Sequence, residues 1–204
     1  METKEILYDH YKDTCSLLCT NIKQRERLMI MVIGTLAMFS FHALFPGSSD
    51  QFLNDFLSHK YGLLSSIDLS IIGNVVWLLL LVFTVKYFQS VVNIERQYNY
   101  IHKLEDKLNQ FLGESIITRE GKSYLSNYPK FSDWTWALYA IIFPLLLFFA
   151  GLSKIISEWV ESYNLIDFGL ILNTLIFVML SVSIYLYLHM VHINNKKDSV
   201  GKEA

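Results

Sequence analysis

Residues Leu69–Gly113 read LSIIGNVVWLLLLVFTVKYFQSVVNIERQYNYIHKLEDKLNQFLG. From Leu69 to Val92 the run is apolar, with a single charge at Lys86. From Asn93 onward it is polar and charged, yet no glycine or proline separates the two halves. About 17–25 apolar residues suffice to cross a hydrocarbon core, so the first half reads as a membrane span. The second half keeps a helical period. Ile94, Tyr98, Ile101, Leu104, Leu108, Phe111 and Leu112 recur mostly three or four residues apart, the mark of a one-sided helix. Arg96, Lys103, Glu105, Asp106 and Lys107 fill most of the remaining face, and Gly113 is a plausible stop. A single helix over Leu69–Leu112 would be about 66 Å long, roughly twice the bilayer core. It is therefore expected to leave the membrane and continue beyond it.

Three further windows are almost free of charge: Leu28–Phe45, Trp134–Leu152 and Phe168–Val191. Backbone polar groups in lipid must be paired within their own segment, so such windows are helices. The expected fold is an all-α integral membrane protein with four transmembrane helices and cytoplasmic helical extensions. Its divisions are an N-terminal amphipathic helix (1–27), a first transmembrane pair (28–92), a helix and loop (93–132), a second transmembrane pair (133–192) and a tail (193–204). The polar first 27 residues do not resemble a cleavable signal, so Leu28–Phe45 reads as a retained span. Composition agrees. Of 204 residues, 52% are apolar and 18% charged, against about 25% charged in average globular chains. The net charge of -2 gives no reason to expect direct nucleic-acid binding.

Basic residues set the orientation. Lys4, Lys12, Lys23, Arg25 and Arg27 precede the first span, and Arg96, Lys103, Lys107, Arg119, Lys122 and Lys130 lie between the second and third. Lys196, Lys197 and Lys202 follow the fourth, whereas Lys60 and Lys154 are alone in the other two loops. By the positive-inside rule both termini and the middle loop of this multi-pass chain are expected to be cytoplasmic. Lys86 can snorkel to the headgroups, and Trp134, Trp136 and Trp159 fall near expected interfaces.

The N-terminal segment carries its own stripe, Leu7, Tyr11, Cys15, Leu18 and Ile22. It is expected to bury that stripe against Ile94, Tyr98, Ile101 and Leu108, or against a symmetry mate. The charged face, Arg96, Lys103, Glu105, Asp106 and Lys107, is the candidate docking surface for a soluble partner. The loop returns through Gly121, Asn127 and Pro129, which suit turns, to Asp133, a good N-cap. Inside the spans the polar residues are few. Asn74 and Asn173 each lie about 9 Å below the outer boundary, with His42 in the same half. An Asn–Asn contact holding the bundle is one reading, and a polar ring around an oligomer axis the other. No acid is expected well inside a span, which disfavours an ion-coupled transporter. Pro144 should kink the third span.

Catalytic signals are weak. Arg96 and His102, in RQYNYIH, resemble the Arg–His motif of HEPN ribonucleases, but six residues of helix turn their side chains about 120° apart. Cys15 and Cys19 read as packing residues, since a metal site needs further ligands and the expected compartment disfavours a disulfide. His189 and His192 read as partners of helix-end carbonyls or headgroups. No metal site, cofactor or enzymatic function is expected.

This plan, four spans with inward termini and the helix NIERQYNYIHKLEDKLNQFLG between the pairs, resembles small bacterial membrane proteins encoded in phage-defence systems. The nearest in layout are the membrane subunits of Kiwa systems. The resemblance implies a homo-oligomer that senses phage at the envelope and holds a soluble cytoplasmic protein, or else an effector that permeabilises the membrane. It carries no functional residue over. The sensor or scaffold is the expectation. A pore-forming effector and a membrane-anchored ribonuclease using Arg96 and His102 are its alternatives.

Overall fold

A computed structural model describes residues 2–44, 55, 59, 69–113, 134–135, 137–161 and 168–200. Four long helices make up these residues: α1 (Glu2–Leu44), α2 (Leu69–Leu112), α3 (Phe143–Glu161) and α4 (Phe168–Val200). The helix α2 is unbroken over the range that its sequence implies. It ends at Gly113, whose φ of 76° lets its N–H reach back 3.0 Å to the carbonyl of Asn109. That is a left-handed helix cap, where a Cβ would be strained.

Among the described residues, three helical stretches are long and apolar enough to cross a membrane: within Gly73–Leu112, Leu138–Val160 and Phe168–Val191. The first expected span, Leu28–Phe45, is not among them. Its last residues lie outside those whose side chains are described, which in α1 end at Phe41. The third span differs from expectation. Its helix continues past Leu152 to Glu161 and takes in Lys154 and Glu158. Lys154 thus belongs to a helix rather than a loop, and an acid does lie in this stretch. The reason is mutual neutralisation: the two charges are 2.6 Å apart across one helical turn. The helix α4 also runs on through the expected tail to Val200. Asp133 and Trp136 lie outside the described residues, as do the turn residues Gly121, Asn127 and Pro129.

The chain divides into two compact units, residues 1–29 with 86–137, and residues 30–85 with 138–204. In the first, α1 and α2 run antiparallel, because their contacts pair rising numbers with falling ones: Tyr11 with Glu105, Asn21 with Gln97. The two sequence stripes close on each other. Tyr11, Leu18, Ile94, Ile101, Leu104 and Leu108 are buried, with Leu7, Cys15, Ile22 and Tyr98 packed against them. Phe111 and Leu112 fall outside this seam and are exposed.

The second unit is centred on Trp77, which is fully buried and stacks on Phe39 at 4.6 Å between ring centroids. A Cβ at Gly151 would stand 2.8 Å from the Trp77 ring and 3.1 Å from Phe177. The missing side chain is what lets these rings approach α3, as small residues do in membrane helix packing. Before Pro144 the backbone widens into a π-helical turn, Leu138–Ile142. Proline offers no N–H to the carbonyl four residues earlier and its ring crowds it, and a wider turn relieves both. Outward faces are apolar: Leu78, Leu146, Phe149, Leu175, Val182 and Leu186 are all about half exposed. Water would penalise such a surface, and hydrocarbon would not.

Candidate functional site

The candidate docking surface stands on the α1–α2 pair. Arg96, Lys103, Asp106 and Lys107 are exposed as expected. Glu105 is not. It is 3% exposed and accepts a 3.0 Å hydrogen bond from the hydroxyl of Tyr11. It sits four residues after Ile101 and three before Leu108, so helical period places it in the seam, and Tyr11 supplies the donor that its burial demands. Burial, and next the bond to Glu105, hold the Tyr11 hydroxyl well above the usual tyrosine range. It therefore remains a donor at any ordinary pH. At one flank of the seam His10 Nε2 and the Tyr100 hydroxyl share a 2.9 Å hydrogen bond, and Asn21 donates to Gln97 at 2.9 Å. These bonds fix the register of the pair.

Of the other sequence candidates here, Cys15 packs in the seam, whereas Cys19 is exposed and so is not a packing residue. Arg96 is exposed and His102 half-buried, its ring 6.5 Å from that of Tyr98. Both belong to one helix, and the described residues bring no second Arg–His pair to them. No group of three or more potential metal ligands occurs among the described residues.

The second unit holds a polar cluster that sequence reasoning missed. Asn173 is buried, and its Nδ2 donates to both oxygens of Glu158, at 3.0 and 3.1 Å. Glu158 pairs with Lys154, whose ammonium lies 5.6 Å from the centroid of Phe39. Trp77 Nε1 donates to the Asn173 backbone carbonyl at 3.2 Å, and Trp159 Nε1 to Thr174 Oγ1 at 3.2 Å. All four helices thus meet at one charge-neutral knot. Asn173 Oδ1, Thr84 Oγ1 and Ser181 Oγ are buried with no hydrogen-bond partner among the described residues. The expected Asn–Asn contact is not formed: the Asn173 side chain is committed to Glu158 rather than Asn74, which is half-buried. Nor does Asn173 line an open lumen within the chain, being 4% exposed. The i,i+4 spacing of Lys154 and Glu158 was the available signal. The side chains of His42 and His192 lie outside the described residues, and His189 stacks on Tyr185. Trp134 and Trp159 are both about half exposed.

No protein-family model, curated protein or solved structure matches the chain.

Proposed function

We propose that the chain is a four-span anchor in a bacterial inner membrane, with both termini in the cytoplasm, whose α1–α2 pair holds a soluble partner protein. In this reading it assembles as a homo-oligomer, works without catalysis or cofactor, and serves antiviral defence as a sensor or scaffold. The defence role rests on the resemblance in plan. The docking role rests on one observation: the pair buries a complete apolar seam of its own while leaving Arg96, Lys103, Asp106 and Lys107 exposed. A helix pair whose seam is already satisfied needs no lipid or second copy to cover it, so its charged faces remain for another protein.

The test is purification of the tagged, full-length chain from its own host after mild cross-linking, beside the variant Ile101→Asp with Leu108→Asp. Charges placed in the seam are strongly unfavourable there. The expected result is a soluble protein retained in fixed proportion by the wild type and lost from the inserted variant. A wild-type chain that retains no soluble protein overturns the docking role. A host lacking the gene whose sensitivity to phage is unchanged overturns the defence role.

A further inference from the structure

We infer that one flank of the helix pair is a recognition strip for an acidic, amphipathic helix of a soluble protein. This rests on the docking role proposed above and names the chemistry of the partner. At about 100° per residue, Lys103, Arg96, Lys107 and Tyr100 fall within about 60° of arc on α2. All four are exposed, Tyr100 by 46%. The acids of α2 are elsewhere. Glu105 is turned into the seam beneath Tyr11, and Glu95 and Asp106 lie about 60–80° further round the helix than Lys103. Burial of Glu105 therefore converts a face that reads as mixed in sequence into one that presents three cations and an aromatic ring. Among the described residues none of these cations forms an ion pair.

The hydrogen bond between His10 and Tyr100 shows which edge of α1 adjoins the strip. That edge supplies two exposed apolar side chains, Ile6 at 68% and Leu17 at 53%, together with His10 and one acid, Asp13. The surface is thus net positive with apolar anchors beside the charges. This combination fits an amphipathic acidic segment better than nucleic acid, which would gain from more cations and has no use for Ile6 and Leu17. The spacing favours a helix. Arg96, Lys103 and Lys107 rise along α2 in steps of about 10 and 6 Å, and carboxylates seven and four residues apart on a second helix rise by the same amounts.

The test uses the full-length chain in nanodiscs of neutral lipid and a fluorescent peptide helix. The peptide carries glutamates at those spacings, with leucines on the adjoining face. The expected result is saturable binding that weakens with salt, falls by roughly tenfold or more in Lys103→Glu with Lys107→Glu, and is unchanged in Lys23→Gln, an exposed residue about 140° round α1 from His10. The doubly reversed variant should in turn bind a peptide with lysines in place of the glutamates. Failure of the acidic peptide to bind, or equal binding by the reversed variant, overturns the assignment. Stronger binding to duplex DNA, or binding only when the nanodisc contains anionic lipid, overturns it in favour of a polyanion. Retention of the host partner in the preceding experiment separates the two proposals. A partner still held by the reversed variant leaves docking intact and removes this strip from it, whereas no partner under any condition removes both.

Discussion

Tyr11 and Glu105 show how one contact decides what a surface is. A buried carboxylate without a donor is costly, and a hydrogen bond to a charged group contributes about 1.5–3 kcal/mol. Tyr11→Phe should therefore loosen the pair by an amount of that order. It should be read as faster amide exchange over residues 5–29 in the detergent-solubilised chain, with Glu105→Gln milder because an amide oxygen still accepts. Unchanged exchange in Tyr11→Phe would show that Glu105 is satisfied without this tyrosine. The pH dependence follows from the raised pKa of Tyr11, caused first by burial and then by Glu105. A group whose folded pKa lies above its unfolded value contributes fully below that unfolded value, near ~10 for tyrosine, and loses its contribution as pH rises through the folded one. The wild type should lose stability above about pH 10, and Tyr11→Phe should lack that component of the loss.

At the level of elements, the sequence was most legible where period and residue type agree. The stripes on α1 and α2 alternate at three and four residues and consist of apolar side chains, and they meet as their spacing implies. It was least legible where type contradicts position. Glu105 has seam spacing and a surface side chain, so residue type alone misassigns it. Lys154 and Glu158 interrupt an apolar run, so a count of charges ends α3 too early. Only the pairing across a helical turn, and the Asn173 amide opposite, show that the interruption is accommodated. The knot yields its own prediction. Glu158→Ala leaves Lys154, whose side chain is 11% exposed, without its carboxylate, whereas Lys154→Ala with Glu158→Ala leaves no charge at all. Breaking one side of a buried pair is worse than removing both, so the double variant should melt above the Glu158→Ala variant in micelles. The reverse order would mean that the pair is solvated in the assembled protein.

For the whole molecule, the number of crossings is the quantity on which the proposed function depends. Among the described residues three helices are long and apolar enough to cross, and α1 ends in the apolar run of the first expected span. Four spans put tags at the two termini on the same face of the membrane, and three put them on opposite faces. In intact spheroplasts, terminal tags and one beside Lys122 should resist external protease, while a tag beside Asp50 should be cut. An accessible N-terminal tag with a protected C-terminal one would establish three crossings and place the start of α1 outside. With the C-terminus inside, three crossings leave residues 93–112 of α2 inside as well, so the two halves of the seam would lie on opposite sides of the membrane and the docking surface built on their pairing could not form.

The antiparallel seam also has a history in time. Tyr11 and Glu105 are 94 residues apart in the chain, and translation proceeds at about 5–20 residues per second. The first half of the seam therefore leaves the ribosome roughly 5–19 s before its complement exists. During that interval the stripe from Leu7 to Ile22 has no partner of its own, and its apolar side chains are open to a chaperone or to the same stripe on a neighbouring nascent chain. Once Gly113 has been added both halves of the seam have been synthesised, while α3 and α4 are still to be made. The order of synthesis thus allows the pair to close before the later hairpin inserts, with neighbouring copies on one polysome competing for each unclosed stripe.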